Sequence, residues 1–432
     1  MNRITLSKNK RLLAYISTTL FIILLSYVVL TTNIWTNPKN PQVCNKCNIV
    51  LIVIDPLRAD ELPCYGYSAN TAPNICRFAQ NNTLYTNTYS QSSWTLPSIM
   101  SLFSSQYPTQ HNVFVPNVDV LPATATTLPM ALKAAGYETT FIGPVDEATQ
   151  HVPLDKGIGR GFETVIPYTS LSDAAAILQN KLKSATPNKP VFVFIHSFDL
   201  RNDSVKAAPT VFPLDPNYTY GLVDPYLRSI TLPTQETRGN ITSYRRVYDE
   251  RLRQLDEQFL AITQSISDTH SGEKTIVAIT SDHGDEFGEH GQSSHGINLY
   301  KSVTHVPFIL SLPYQTPLQS DKLVQSIDIY PTLLGAVGIK TPASARGINV
   351  SPQSKKQQEK QNQYVISQLE PEKHLVTIRN HQWSYHFDPT NEKTKLQGSL
   401  YNLQNDSEEL RPIVSNTDMI GILIRAYEHI LK

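Results

Sequence analysis

No net charge is left over in this chain of 432 residues, because 37 lysines and arginines balance 37 aspartates and glutamates. Without a basic field, nothing draws the molecule as a whole to nucleic acid, and an anionic ligand has to be held by local groups. Cysteine is scarce as well. Four residues are too few for a disulfide scaffold in so long a chain. Cys44 and Cys47 form a C-x-x-C, but no second pair follows to complete a zinc site, since Cys64 and Cys76 stand far apart. That first pair reads as a local disulfide tether near a membrane. Charged residues make up 17% of the chain against 40% hydrophobic, which suits a globular protein with a real core. No internal repeat is visible.

Charge is also missing locally. After Lys8, Lys10 and Arg11, no charged residue occurs from Leu12 to Pro38, and the stretch from Leu20 to Leu30 is almost wholly apolar. A helix of about 20 residues crosses a bilayer core of roughly 30 Å. The basic residues ahead of it put the N-terminus in the cytoplasm, and no convincing small-x-small cleavage site follows. The pattern predicts residues 1–11 as a cytoplasmic N-terminus, 12–34 as a transmembrane anchor and 35–47 as a short stalk, with everything beyond lying outside the cytoplasm.

From Asn48 onward, strand and helix patterns alternate, which predicts a mostly parallel sheet sandwiched by helices. Strands are expected over 48–54, 138–142, 190–195, 274–280 and 306–311. Helices are expected near 73–81, 97–105, 127–135, 171–184, 242–267 and 328–337. In the longest, Tyr248, Leu252, Leu255, Phe259 and Ile262 fall on one face as core contacts. Between 200 and 240 the pattern dissolves, and a loop that long is a natural cover for a site. Short strands and a final helix, 417–431, predict a small C-terminal α+β lobe. The domain boundaries expected are 48–351 for the main body and 352–432 for the lobe, joined by an exposed connection at 352–362.

Three stretches carry chemistry. The apolar run Thr275–Thr280 breaks into a loop holding Asp282, His283, Asp285, Glu286, Glu289 and His290 among glycines. Carboxylate oxygens beside an imidazole at a strand end suit a divalent cation. A second strand, Asn48–Ile54, ends on Asp55 and can bring another carboxylate to the same sheet edge. The third stretch is Ser92-Ser93-Trp94-Thr95-Leu96-Pro97. Pro97 suits a first helical turn, which places Thr95 at or just before the helix start, where free N–H groups favour an anion. Taken alone, Thr95 reads first as an N-cap. Touching a cation, its hydroxyl could lose a proton and attack sulfur or phosphorus.

Taken together, the ordered motifs resemble the sulfatase family of the alkaline phosphatase superfamily. They are Asn48–Asp60, Cys64–Tyr67, Thr71–Asn74, Trp94–Ser105, Thr280–Gly291, Ser294–Gly296 with Leu299 and Tyr300, Val306–Ile309, Asp328–Leu334 and Leu400–Asp406. The resemblance runs from about 48 to about 410. It implies an α/β alkaline phosphatase-like fold, and it implies Asp55, Asp282 and His283 as metal ligands. Thr95 falls at the nucleophile position, also touching the metal. His196 and His295 match site-lining histidines able to protonate a leaving group or hold a nonbridging oxygen. His196 reads alternatively as a core histidine. Arg201, Lys301 and His305 are further candidates for substrate contact. One divalent metal is implied, Ca²⁺, Mg²⁺, Mn²⁺ or Zn²⁺.

The departures are specific. The family's motif of Cys or Ser, x, Pro, x, Arg is here Thr95-Leu96-Pro97-Ser98-Ile99, so formylglycine is not expected. Pro56 stands where a second acid is usual, and Gly143 is followed by Pro144, Val145 and Asp146 where cations are usual. The reading is a membrane-anchored, metal-dependent hydrolase of sulfate or phosphate esters. Its partners would be an ester substrate such as an envelope glycan or lipid, the membrane itself, and no nucleic acid. Two alternatives stay open: transfer of a phosphorylated head group among envelope lipids or glycans, and a binding domain without catalysis.

Overall fold

Runs of β-branched and aromatic residues become the centre of the sheet because both of its faces are covered. The structure, a computed structural model, describes residues 43–116, 118–145, 154–201, 235–269, 272–313, 315–352, 361–371, 373–413 and 416–432, without the side chains of 235–244 and 273. The expected anchor at 12–34, residues 1–11, most of the stalk, positions 202–234 of the expected cover and most of the connection 352–362 lie outside the described residues. Among the described residues, no helix is long and apolar enough to cross a membrane.

The strands are β1 (Asn48–Ile54), β2 (Thr83–Tyr89), β3 (Glu138–Gly143), β4 (Thr164–Pro167), β5 (Val191–Ser197) and β6 (Thr275–Thr280). A short ribbon of β7 (Glu286–Phe287) and β8 (Ser293–Ser294) follows, then β9 (His305–Ser311) and β10 (Leu318–Gln325). The main sheet has the order β10-β2-β9-β6-β1-β5-β3-β4. Its pairings are parallel except for β9, which runs against both β2 and β6. The sheet is mostly parallel, as expected, with β9 its one antiparallel strand. The chain doubles back from β6 into its neighbour β9, and the acidic loop is the connection between them. β2, β4 and β10 are strands that the hydrophobic pattern did not reveal. β4 and β10 form the two edges of the sheet and alternate with exposed residues, while β2 carries Thr86, Asn87 and Thr88.

The labelled helices are α1 (Pro73–Gln80), α2 (Thr95–Ser104), α3 (Leu128–Ala134), α4 (Leu171–Ser184), α5 (Gln235–Ser267), α6 (Ile329–Ala336) and α7 (Thr417–Leu431). In β1, Ile49, Leu51 and Val53 enter one core with α2, α3 and α6, whereas Val50, Ile52 and Ile54 enter the opposite core with α1, α4 and α5. The period of two in a strand sends neighbours to opposite faces, so a strand buried on both must be apolar throughout. Each such Ile, Leu or Phe contributes about 1.5–3 kcal/mol by leaving water. Tyr248, Leu252, Leu255, Phe259 and Ile262 of α5 all pack into the second core.

β11 (Val365–Leu369), β12 (Leu375–Arg379), β13 (Trp383–Phe387) and β14 (Ser399–Asn402) form an antiparallel meander that shares a core with α7. Cys44 bonds Cys47, and Cys64 bonds Cys76, a second disulfide that the wide spacing had not suggested. The lobe is joined to the main body through Arg379. This buried guanidinium donates to both oxygens of Glu409, to Leu299 O at 2.7 Å and to Thr304 Oγ1 at 3.2 Å.

Leaving either charge of this pair alone in the core is expected to cost about 3–5 kcal/mol, whereas replacing both with apolar groups costs far less. Glu409→Leu should therefore lower the urea midpoint more than Glu409→Leu with Arg379→Met. Burial by itself would raise the Glu409 carboxyl, but Arg379 and His386 hold it well below its ordinary 4.5. A depressed folded value stabilises above the unfolded pKa, and that stability is lost as pH falls below about 4.5. The acid limb of a thermal-unfolding profile should flatten in the double variant.

Candidate active site and metal centre

Three adjacent strands end level. Val53 of β1 pairs with Thr280 of β6 and with His196 of β5, and Ile54 pairs with Ser197. One step further along, the chains deliver Asp55, Asp282 and His283 to the same edge. Hydrogen bonds fix these exits. Asp55 N–H donates to Ser197 O at 2.9 Å, Ser281 Oγ donates to Ile54 O at 2.5 Å and accepts Leu57 N–H at 2.9 Å, and Ser90 Oγ donates to Asp282 O. Gly284 follows at once, and a Cβ there would lie 2.2 Å from Ser302 O, so the backbone can pass only as glycine.

Asp55, Asp282 and His283 are all buried, and one ligand atom from each lies within 4.8 Å of the others. His283 Nδ1 lies 2.9 Å from the Gly284 carbonyl, which can only accept, so the proton sits on Nδ1. The Nε2 lone pair then faces Asp55 Oδ1 at 3.4 Å and Asp282 Oδ2 at 3.5 Å. Those two oxygens have no hydrogen-bond partner. Three inward-facing lone pairs in a buried pocket repel one another unless a cation lies among them. The oxygen-and-imidazole donor set fits a divalent ion, with the Gly284 carbonyl fixing the tautomer of the ligating ring.

The two acids are pushed apart. Burial would raise Asp55, but the Arg201 guanidinium, then His283, His196 and His295, hold it well below the usual carboxylate range. Burial and the Asp55 charge push Asp282 well above that range.

Thr95 is the first residue of α2, two positions earlier than the expected helix start. Trp94 is the N-cap, and Pro97 is the third helical residue, where its missing N–H still falls among the unpaired donors of the first turn. Thr95 is therefore not the cap. Its Oγ1 donates to Asp55 Oδ2 at 3.2 Å and lies 3.3 Å from His283 Nε2. A hydroxyl, two carboxylates and an imidazole from three distant stretches meet here.

His196 is fully buried, its ring edge-on to Phe198 at 4.8 Å and its Nε2 3.9 Å from Asp282 Oδ2. Neither ring nitrogen has a hydrogen-bond partner, and burial pulls the imidazole down to about 4. His295 stacks at 4.3 Å on His283 and donates from Nδ1 to Asp285 Oδ1 at 3.0 Å. Asp285 thus orients His295, a function unseen in the sequence although the residue stands in the acidic loop. Arg201 Nη1 donates to Asp55 Oδ2 at 3.0 Å.

Two further candidates have other partners. The Lys301 ammonium reaches Glu408 Oε1 at 3.5 Å. His305 Nε2 donates to Thr86 O at 2.9 Å, with its ring packed between Tyr65 and Tyr89. Arg58 lies within the Asn48–Asp60 motif. It is buried, and it donates to Asp285 O at 2.9 Å and Glu289 Oε1 at 2.7 Å, clamping the acidic loop.

Comparison with known proteins agrees with this architecture. The sulfatase family profile matches residues 47–339, and the family described as N-sulphoglucosamine sulphohydrolase, C-terminal, matches 288–431. A Delta 4,5-hexuronate-2-O-sulfatase of Bacteroides thetaiotaomicron is 24% identical over 88% of this chain and 87% of its own length. A choline-sulfatase of Rhizobium meliloti is 23% identical over 86% of this chain and 83% of its own. The phosphonate monoester hydrolase of Agrobacterium radiobacter shares the fold, with a TM-score of 0.68 at 17% identity across 89% of this chain and 95% of that one. The chain belongs to the sulfatase family and is a hydrolase of sulfuric or phosphoric esters.

Proposed function

We propose that this chain cleaves a sulfate or phosphate ester by in-line attack of Thr95, with one divalent cation held by Asp55, Asp282 and His283. The supporting observation is the convergence of Thr95 Oγ1 on Asp55 Oδ2 at 3.2 Å and His283 Nε2 at 3.3 Å, beside Asp55 Oδ1 and Asp282 Oδ2, which lack hydrogen-bond partners. A cation bound there supplies Lewis-acid polarisation and makes the threonine hydroxyl more acidic. Thr95 Oγ1 forms a bond to sulfur or phosphorus while its proton is directed at Asp55 Oδ2. The bond to the leaving oxygen breaks, and that oxygen takes a proton from His295, which Asp285 aims. His196, neutral in its apolar surroundings, suits a hydrogen bond to a nonbridging oxygen. Water then attacks the same centre and gives a proton to His295, the bond to Thr95 breaks, and the threonine oxygen takes back the proton from Asp55.

An acceptor alcohol in place of water would give group transfer to an envelope lipid or glycan by the same two displacements. Anchoring through 12–34, with the site outside the cytoplasm, belongs to this reading and is supported by the charge-free run and the basic residues ahead of it.

Thr95→Ala is expected to lower turnover of aryl sulfate and phosphate esters by roughly 10³-fold or more, while metal content by mass spectrometry stays near one ion per chain. His283→Ala should lower both. Full activity in the alanine variant at position 95 would remove Thr95 from the reaction. Adding the bound metal at about 100 times its Kd should stabilise the protein by about 2.7 kcal/mol, read as a rise in Tm that His283→Ala abolishes. His295→Gln should slow cleavage of alkyl esters by about 10²–10⁴-fold and that of nitrophenyl esters much less, because nitrophenolate leaves without a proton. Equal losses on both would argue against a proton donor at His295.

A further inference from the structure

The β7–β8 ribbon turns with Gly291 N–H on Gly288 O at 3.1 Å, and His290 stands in that turn. Across the ribbon Glu286 pairs with Ser294, the residue before His295, so whatever fixes the turn also fixes His295. The His290 side chain is 9% exposed, and both of its ring nitrogens face acceptors. Nε2 lies 2.9 Å from the Glu408 carbonyl of the C-terminal lobe, and Nδ1 lies 2.9 Å from Glu286 Oε1. A carbonyl can only accept, so Nε2 carries a proton. Glu286 Oε1 also accepts from the Ser302 hydroxyl, and its Oε2 accepts the His290 N–H at 3.3 Å. A carboxylate that only accepts calls for a proton on Nδ1 as well, and the ring is then an imidazolium. It stacks on Tyr300 at 3.5 Å, a face that suits a cation.

Glu286 is buried, and among the described residues His290 is the one basic side chain paired with it. Losing the Nδ1 proton would set a ring lone pair against a buried carboxylate with no counter-charge. The other charges nearby are matched elsewhere. Glu409 accepts from Arg379 and lies 3.2 Å from His386 Nε2, Lys301 reaches the Glu408 carboxylate at 3.5 Å, and Glu289 is held by Arg58. His386 and Tyr401 pack on Tyr300 with ring centroids at 4.8 and 6.1 Å, and burial keeps the His386 ring below its ordinary 6.5. Burial alone would lower His290 too, but the hydrogen bond and charge of Glu286, then the Glu408 carbonyl and Glu409, raise it above 6.5. A raised folded value stabilises fully below the ordinary one, and that stability is lost as pH rises through the folded value.

We propose that His290 is a proton-operated latch: doubly protonated between Glu286 and the Glu408 carbonyl, it pins the ribbon that carries His295 to the C-terminal lobe, and as pH rises it releases the ribbon. His290 touches none of the reacting groups and acts as a positioning residue.

The test is amide hydrogen exchange of peptides covering 286–300 in the full chain, at pH 6 and pH 9, corrected for the intrinsic effect of pH on exchange. Protection of these peptides should fall about tenfold or more between the two conditions, while peptides from β1 and β6 hold theirs. His290→Gln cannot donate from both positions, so its protection should be low at both pH values. Glu286→Gln should behave in the opposite way. Its amide can donate to a neutral Nδ1 while Nε2 still donates to Glu408, so protection should stay high at pH 9. Equal protection of the unsubstituted chain at both pH values overturns the proposal, and so does a fall in Glu286→Gln as large as in the unsubstituted chain. If His290→Gln does not fold, the unsubstituted chain and Glu286→Gln decide. No ester enters the measurement, so a failure of the ester-cleaving reading would leave the latch standing, and a failure of the latch would leave that reading untouched.

Discussion

Two buried carboxylates face each other across a pocket, with an imidazole lone pair between them, and the rest of the molecule has to keep them there. Left to relax, Asp55 and Asp282 would separate or take up water. They stay because β6, β1 and β5 are fixed in register, apolar on both faces, and end at the same level. Dense packing on both sides of the sheet resists the movement that would relieve the repulsion. The same rigidity keeps Thr95 within reach, since α2 is buried along its whole length against the first core.

The loop from 281 to 304 carries most of the chemistry, and it is held from two directions. Arg58, fully buried behind the β1 exit, fastens the backbone at Asp285 and the carboxylate of Glu289. Arg379, from the C-terminal lobe, fastens Leu299 and Thr304. Between these clamps His290 stacks on Tyr300 at 3.5 Å and donates to Glu286. The lobe is thus part of what positions His295, even though it offers no residue to the metal trio. Near Arg58, burial pushes the Glu61 carboxyl up to about 7 despite Arg58 and Arg245 beside it.

Much of this was legible beforehand, and the misses have physical causes. The strands at the centre of the sheet announce themselves because burial on both faces leaves no room for polar residues. β2, β4 and β10 did not, because polar or half-exposed strands look like loops. α2 begins two residues early because a proline at the third helical position is tolerated too, its missing N–H falling in the first turn where no intrahelical partner exists. Lys301 and His305, candidates for substrate contact in the sequence, have other partners in the fold. A short helical turn, Lys301–Thr304, directs the lysine to Glu408, and His305 opens β9 beside Thr86.

The order of residues alone pointed to a mostly parallel α/β sheet through its buried strands, and its ordered motifs to the family and to Asp55, Asp282, His283 and Thr95 as candidates for one site. Only the tertiary structure decided which nitrogen of His283 faces inward, that Asp285 serves His295, and that Arg201 rather than Lys301 shares the carboxylate of Asp55. Those are relations between side chains brought together from opposite parts of the chain. They depend on distances that sheet order and packing fix, and that spacing along the sequence does not encode.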